Sequence, residues 1–539
     1  MMHIHKKQIK LTIVCFISII LLTGVSILAY DVGSNLLLQI EIFSEILQKI
    51  QLSYVDEKNP QELMQSAIRG MISALDPHTT YLTSEQFNQW SKQYEGYTGI
   101  GITYDVIRER ITVMSVFSGG PSDKAGILVG DRIISINGKS AIGISREEAP
   151  LLLMGPKGTK VDLTIERKGL AETKNIVVIC DEVHLDSIPY IFIIQPGVGY
   201  IRINRFTETT EEELEQGLNR LEAQGMRQLI LDLRGNGGGY LEAAVQVVDK
   251  FLPGGRRIVY TKGRTEGSSH EFFSTNQNTH PLYPLTVMID RISASASEIV
   301  AGALQDWDRA LIVGETSFGK GLVQTQYLLK DGSSLLMTTA RYYTPSNRLI
   351  QRPYDNISLE DYYREVTDDV AREEWENDPS RPIVKTQILK RNVYGGGGIT
   401  PDIFLRSKPD TISTVVRRIL SSPEKYFFTF IEDYMKDHSE LVGKDYNQFL
   451  KNYTPNGNTL QLFLKHIREL GFQITNEEFV NNKKDIEFVL KQHIASKIWG
   501  DEASYKVEVM RDYQLLETLN YLSQSENLIA QSYGRYRDY

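Results

Sequence analysis

Two short segments of this 539-residue chain hold residue types that can form a nucleophile and its base. The first, Ser293–Ala303, places three alternating serines before an apolar helical pattern. The second, Gly314–Gln324, places one lysine, Lys320, between two glycines. A serine at the start of a helix lies where backbone amides and the helix dipole favour a developing oxyanion. A serine hydroxyl beside a neutral lysine amine can therefore act as a nucleophile without any histidine.

Each segment also has an ordinary structural interpretation. Ser295 with Glu298 is the capping-box pattern that opens a helix, and a lysine such as Lys320 is typical of a solvated loop. A lysine titrates near pH ~10.4 and must be desolvated to about 7–8 before it accepts a proton at neutral pH. The apolar and glycine neighbours of Lys320 fit such a setting. The pattern alone does not say which of the three serines attacks.

The glycine run 235–239 follows a strand pattern and precedes a helix pattern. Such a run can supply backbone amides to an oxyanion, and it can also be a bare turn. A dinucleotide-binding loop is a poorer interpretation because the Gly-x-Gly-x-x-Gly spacing is missing.

Composition limits the classes of function. The chain is too long for one hydrophobic core, so several domains are expected. Its net charge of −9, without a long basic block, argues against a nucleic-acid partner. The two cysteines, Cys15 and Cys180, lie in unrelated stretches, and neither a CxxC pair nor HExxH occurs. We therefore expect no disulfide and no metal site.

The N-terminus holds twenty mostly apolar, uncharged residues, Leu11–Tyr30, after Lys6, Lys7 and Lys10. This length and basic flank predict a single-pass anchor in a bacterial inner membrane, with the rest of the chain on the periplasmic, extracytoplasmic side. A cleaved signal peptide is the alternative.

The remaining patterns predict an α/β multidomain protein. Residues 35–93 have helical spacing, short β-rich runs alternate with glycine turns over 97–169, and strands alternate with helices from about residue 183. Residues 355–385 are acidic and interrupted by prolines, so we expect them to form an insertion in the core, here called the acidic excursion. Residues 410–535 have a helical pattern. The expected domains are an N-terminal segment, a helical region, a β domain, an α/β core and a helical extension, over 1–34, 35–95, 96–170, 171–408 and 409–539.

Seven of these stretches, in this order, resemble the C-terminal processing peptidases, or tail-specific proteases. They are Leu75–His78, a PDZ-like segment over 97–169, Asp232–Gly239, Ser293–Glu298, Thr316–Gln324, Thr338–Pro345 and Gly396–Asp402. The resemblance implies a crotonase-like α/β protease core with an inserted PDZ domain, and a serine endopeptidase that needs no metal or organic cofactor.

The resemblance also implies roles for particular residues. Ser295 is the nucleophile, Lys320 is its base and Gln324 orients the lysine. The oxyanion donors are the Ala296 amide and a glycine amide, for which Gly238 comes first and Gly239 second.

The PDZ-like segment implies a partner. Gly99 and Gly101 belong to a loop that resembles the PDZ carboxylate-binding loop, where backbone amides hold a chain end. Ile100 and Ile102 would line an apolar pocket, so proteins and peptides with free, apolar C-termini are the expected substrates. The helical C-terminus is expected to contribute to a homo-oligomer.

Two other functions agree with parts of this pattern. One is a PDZ adaptor with an inactive protease core, against which Ser295, Lys320 and Gln324 argue. The other is a crotonase-like enzyme acting on acyl thioesters, since one fold can host either chemistry. The PDZ-like segment and the exported N-terminus disfavour a thioester substrate.

Overall fold

The computed structural model describes residues 35–117, 119–277, 280–355, 357–408 and 412–534. The chain divides into two compact units at the Tyr81–Leu82 bond. The first unit contains helices over 35–53 and Pro60–Ile72. Asn59 caps the second helix by accepting a hydrogen bond from the Gln61 amide, and Pro60 opens its first turn. The helical prediction for this stretch is confirmed.

The expected inner-membrane anchor is corrected. A membrane-spanning helix needs about 20 apolar residues. No helix in the described ranges is long and apolar enough to cross a membrane, and this finding overturns the localisation expectation. The apolar run that prompted the prediction, Leu11–Tyr30, lies outside the described residues.

The second unit begins with helix Ser84–Glu95 and continues into the predicted PDZ segment, which is a β domain. Ile111, Ile133 and Ile165 lie on neighbouring strands and are fully buried. Its main sheet runs in the order Ile102–Ile107, Arg110–Val116, Arg132–Ile136, Lys160–Glu166 and Lys174–Ile179, so the first of these is an edge strand. The rest of the domain consists of strands Tyr97–Gly99, Lys139–Ser140 and Asp181–Val183 and helices Pro121–Ala125 and Ala149–Leu153.

The α/β core is built on a six-stranded sheet. The first two strands of this sheet are antiparallel, and each further strand is parallel to the strand before it. The strands, in spatial order, are Tyr190–Gln195, Val198–Arg202, Gln228–Asp232, Leu285–Ile289, Leu311–Gly314 and Ile403–Phe404. Helices Thr210–Ala223, Leu241–Asp249 and Ala296–Asp306 cover one face. Parallel strands bring their carboxyl ends to one edge of a sheet, which is where loops carry chemistry in α/β folds.

A second sheet contains strands Arg257–Gly263, Glu271–Phe273, Leu322–Leu328 and Ser334–Tyr343. The acidic excursion holds helices Leu359–Thr367 and Asp369–Glu376, followed by a hairpin of Ile383–Lys385 and Asn392–Tyr394. This excursion packs beside the lysine segment, because the buried Arg372 donates a hydrogen bond of 2.8 Å to the Ser317 carbonyl.

The C-terminal extension, residues 412–534, is helical as predicted. Its first part has a core of its own, which includes Phe427, Phe463 and Leu490. Its last helices pack on the other face of the core sheet, where Tyr505 and Leu515 join the cluster around Met288. The α-helices are Thr414–Leu420, Tyr426–Asp437, Tyr446–Asn452, Gly457–Glu469, Asn476–Asn481, Lys483–Trp499, Asp501–Glu508, Tyr513–Thr518 and Leu522–Tyr533.

Candidate active site

The three alternating serines lie at the carboxyl end of strand Leu285–Ile289, and their hydroxyls have different surroundings. The Ser293 hydroxyl is buried and donates to the Leu233 carbonyl at 2.8 Å. The Ser297 hydroxyl is buried and donates to the Asn236 carbonyl at 2.9 Å. Ser295 instead lines a cavity of about 660 Å³. The structure therefore separates the three serines that the sequence pattern left equivalent.

Ser295 has an unusual backbone conformation. Its φ of +55° and ψ of −112° lie in a region that residues with a Cβ seldom adopt, and such strain is concentrated at functional sites. It immediately precedes helix Ala296–Asp306, and the amides of Glu298 and Ile299 donate to its carbonyl. The turn therefore presents the side chain at the positive end of a helix.

The glycine loop, residues 235–239, lies against this turn. Gly238 has φ of +106°, and a Cβ there would stand 2.8 Å from Ser295 Cβ and 2.9 Å from the Ala294 carbonyl oxygen. Only glycine permits this approach. The buried Asn236 holds the two segments together, because its carbonyl accepts from the Ala294 amide at 3.0 Å as well as from Ser297.

The amides around Ser295 differ in their availability. The Gly238 amide donates to Asn236 Oδ1 at 2.8 Å, so this first-choice oxyanion donor already has an acceptor. Within the described parts of the chain, the amides of Gly239 and Ala296 have no acceptor. Gly239 also lines the cavity. Of the two glycines named from the sequence, Gly239 is therefore the one whose amide has no acceptor here.

The lysine segment, residues 314–321, joins strands Leu311–Gly314 and Leu322–Leu328. Lys320 is half-buried, and its Nζ donates to Gln324 Oε1 at 2.6 Å. Both side chains line the cavity that Ser295 lines, together with the apolar Ile299 and Leu322. The structure therefore brings the three predicted catalytic side chains to one cavity.

Glu298 connects the two halves of the site. It is fully buried, and each carboxylate oxygen accepts two hydrogen bonds. Oε2 accepts from the amides of Ser295 at 2.8 Å and Lys320 at 2.9 Å. Oε1 accepts from the Ser317 hydroxyl at 2.6 Å and the Gly319 amide at 2.7 Å. Burial raises the pKa of Glu298, and these hydrogen bonds oppose the rise.

Tyr342 makes a second connection between the two segments. Its buried hydroxyl lies 2.6 Å from the Lys320 carbonyl oxygen and 3.1 Å from the Ser295 carbonyl oxygen. Burial, with a smaller effect from Glu298, raises the pKa of this phenol well above its ordinary value, so it is a proton donor. The sequence pattern indicated neither connection. It gave Glu298 the role of a helix cap alone. The alternation of side chains along a strand does not say whether Tyr342 or Tyr343 faces inward.

The predicted PDZ loop borders an apolar groove. Ile100 and Ile102 line it as expected, and Gly101 is also at its wall. Helix Ala149–Leu153 forms the opposite side, and the space measures about 210 Å³. Gly99 and Met154, which lie beside the groove, form an isolated antiparallel β-bridge.

Comparison with known proteins decides the family. The chain matches peptidase family S41 over residues 197–358 and the PDZ domain over 89–166. A carboxy-terminal-processing protease of Bartonella bacilliformis is 37% identical over 318 residues, which are 58% of this chain and 73% of that protein. The carboxy-terminal processing protease CtpA of Bacillus subtilis is 31% identical over 371 residues, which are 66% of this chain and 79% of that protein.

This chain belongs to the carboxy-terminal processing proteases. It is a serine-type protease with a PDZ domain, and its α/β multidomain fold class is confirmed by the described helices and sheets. Among solved structures it is similar to a photosystem II D1 C-terminal processing protease, with 26% identity, coverage of 71% of this chain and 97% of that chain, and a TM-score of 0.34. Residues 422–500 of the extension match a family of unknown function.

Proposed function

We propose that this processing protease cuts peptide bonds with a Ser295/Lys320 dyad and selects proteins by their free, apolar C-termini. One observation carries the catalytic part. Ser295, Lys320 and Gln324 line one cavity, and the Gln324 side chain accepts a hydrogen bond from the lysine amine. A side-chain amide oxygen can accept from a neutral amine without supplying the negative charge that would stabilise its protonated form.

The acylation step uses neutral Lys320 as the base. Its Nζ takes the proton from the Ser295 hydroxyl while Oγ forms a bond to the carbonyl carbon of the substrate. The resulting lysine ammonium gives that proton to the leaving amine, and the C–N bond breaks. An ester between Ser295 and the substrate remains.

The deacylation step repeats the same proton transfers with water. Lys320 takes a proton from a water molecule, whose oxygen attacks the ester carbon, and the proton then returns to Ser295 Oγ as the C–O bond breaks. The Ala296 and Gly239 amides are the proposed donors to the oxyanion in both steps. Ala296 follows Ser295 in the chain, Gly239 lines the same cavity, and neither amide has an acceptor within the described residues.

The groove between strand Ile102–Ile107 and helix Ala149–Leu153 is the proposed tail-binding site. Ile102–Ile107 is the edge strand of its sheet, so a peptide can pair with it through backbone hydrogen bonds. The groove walls are largely apolar and include Ile100, Ile102 and Leu153, which suits an apolar terminal side chain.

The terminal carboxylate would bind amides of the loop that contains Gly99 and Gly101. The Ile100 amide donates to the Leu153 carbonyl at 3.3 Å in this structure. The Gly101 amide has no acceptor among the described residues. We therefore propose Gly101 as the amide that a tail meets first.

A homo-oligomer remains a prediction, and the last helices of the extension bury apolar side chains against the core of their own chain.

Turnover of an unfolded protein with an apolar tail tests the dyad. Ser295→Ala and Lys320→Ala should each lower kcat by at least ~10³-fold, the loss expected when a nucleophile or its base is removed. Lys330→Ala is the matched control, because Lys330 is exposed and lies outside the cavity, and it should cut at the wild-type rate. Wild-type turnover by Ser295→Ala would end the proposal.

A further inference from the structure

A buried arginine beside the glycine loop is held by two carboxylates, one from the core and one from the C-terminal extension. Arg234 follows strand Gln228–Asp232 and directly precedes the loop. Its Nη2 donates to Asp232 Oδ2 and to Asp512 Oδ2, both at 2.6 Å. Its Nη1 donates to Asp512 Oδ1 at 3.0 Å, so the contact with Asp512 is bidentate. Bidentate pairs fix direction as well as distance.

Asp512 is itself held in place by the extension. It lies before helix Tyr513–Thr518, and its Oδ1 accepts from the Leu515 amide at 3.0 Å. Gln514 supports the same contact, because its Oε1 accepts from Arg234 Nη1 at 3.1 Å and its Nε2 donates to the Leu405 carbonyl at 2.7 Å. The extension therefore presents a rigid, oriented acceptor to the core.

Asp232 also interacts with side chains other than Arg234. Its Oδ2 also accepts from the Tyr200 hydroxyl at 2.7 Å and lies 3.5 Å from Arg202 Nη1. Burial would raise the pKa of Asp232, but Arg234 and then Arg202 lower it to about 2, so the carboxylate stays charged. Without Asp512, Gln514 would be the one acceptor among the described residues that the extension still offers to the Arg234 guanidinium.

A short chain of contacts leads from Arg234 to the nucleophile. The next amide, of Gly235, donates to both oxygens of Asp290 at 3.0 Å. Asp290 Oδ1 also accepts from the Ser293 amide at 3.0 Å. A displacement of Arg234 would therefore move the glycine loop relative to the turn that carries Ser295.

We propose that Asp512 is a positioning residue for catalysis: it fixes Arg234, and through Arg234 it fixes the glycine loop that supplies an oxyanion donor. This inference rests on the proposed Ser295/Lys320 function. It assigns the C-terminal extension a part in the active site, although none of its described residues, 412–534, lines the cavity of Ser295.

Asp512→Asn tests the inference, because asparagine keeps the cap on Leu515 and removes the charge. The expected result is a kcat lower by roughly 10-fold with KM unchanged, since small misplacements of a catalytic group are costly. The inhibition constant of a peptide boronic acid should rise by a similar factor, because its tetrahedral adduct uses the oxyanion donors.

Asp485→Asn is the matched control. Asp485 lies in the same extension and likewise accepts from one arginine, Arg511 at 2.8 Å, and one backbone amide, that of Ser413 at 3.0 Å. It should lose comparable thermal stability and keep the wild-type kcat. Equal kcat values for the two variants would overturn the inference.

Ser295→Ala, measured in parallel, distinguishes the two claims. If it abolishes cleavage while Asp512→Asn matches the Asp485→Asn control, the dyad stands and only the positioning role fails. If Ser295→Ala cuts normally, the proposed function fails first.

Discussion

Glu298 shows how one side chain can determine the geometry of the proposed catalytic pair. Its two oxygens accept four hydrogen bonds, two from the lysine segment's amides, one from the amide of Ser295 and one from Ser317. A buried carboxylate is stable only with such compensation. The backbone amides of the proposed nucleophile and of the proposed base thus donate to a common acceptor, independently of any contact between their own side chains.

We expect Glu298→Gln to reduce both stability and activity. Glutamine has nearly the same shape, but its amide nitrogen cannot accept, so two of the four donors lose their partner. Each unsatisfied buried group costs about 1–3 kcal/mol of unfolding free energy. The kcat should fall by at least ~10²-fold because both segments shift. Thermal denaturation and steady-state kinetics measure the two effects, and a fully active variant would contradict the role.

Tyr342→Phe is the milder test of the same idea. It removes the hydroxyl between the Lys320 and Ser295 carbonyls and leaves the ring packing intact. We expect a kcat lower by roughly 10-fold, with KM unchanged, and a stability loss of about 1 kcal/mol, the usual worth of one buried hydrogen bond. Tyr343→Phe is the control on the same strand. Equal kinetics for the two variants would show that the shared hydroxyl contributes nothing.

At the scale of elements, strand and helix ends place the proposed catalytic groups. The parallel core sheet brings Arg234, Asp290 and Gly314 to one edge, because Gly314 ends its strand and the other two follow the carboxyl ends of neighbouring strands. Gln324 lies on strand Leu322–Leu328 of the antiparallel second sheet, where it accepts the hydrogen bond from Lys320. The site therefore depends on two sheets, and neither one positions the proposed dyad alone.

The groove of the PDZ domain gives a prediction for substrate binding. Met154 is half-buried and lines the groove, whereas Leu151 on the adjoining helix is 81% exposed and does not. Met154→Gln should raise KM for a substrate with an apolar tail by roughly 10-fold, since it removes part of a burial worth ~1.5–3 kcal/mol. Leu151→Gln should leave KM unchanged. The tail-binding proposal fails if both variants keep the wild-type KM.

At the scale of the whole molecule, the extension contacts the PDZ domain as well as the core. Among the described residues, three ion pairs cross this interface: Asp105–Lys425 at 2.9 Å, Arg108–Glu424 at 2.8 Å and Lys168–Asp433 at 2.7 Å. Partly exposed pairs are individually weak and are screened by salt. These three pairs thus contribute a modest stabilisation to the position of the PDZ domain, which is compatible with the proposed exchange of substrates.

The stabilisation from Asp105 should depend on pH. Burial raises the pKa of this carboxyl, but hydrogen bonds, the larger from Lys425, lower it below its ordinary value of 3.8. The charged form is favoured in the folded state, so the stabilisation is present above about pH 4 and is lost as pH falls through the lowered pKa. Denaturation of wild type and Asp105→Asn should therefore differ at pH 6 and converge in acid. A difference that persists below the lowered pKa would contradict this assignment.

A charge exchange tests the contact itself. Lys425→Glu should increase hydrogen exchange in strand Ile102–Ile107 at neutral pH, because it places two like charges together. Adding Asp105→Lys should restore protection. If the double variant exchanges as fast as the single one, the ion pair does not hold the domain.

Much of this protein could be predicted from local patterns. The apolar runs predicted strands over 228–233 and 284–289 and a helix over 295–306, because secondary structure follows from periodicity within a few neighbouring residues. The structure has Gln228–Asp232, Leu285–Ile289 and Ala296–Asp306 there. The order of motifs predicted a serine protease with a PDZ domain, and comparison confirmed it.

Contacts between distant segments could not be predicted in this way. Local spacing does not reveal that Glu298 binds the lysine segment, that the Gly238 amide is taken by Asn236, or that Asp512 reaches Arg234 across 278 residues. These pairings depend on how the chain folds back on itself, and a residue's type states what it can bind but not which partner will be near. The sequence thus determined which chemical groups are available, and the packing of sheets and helices selected which of them meet.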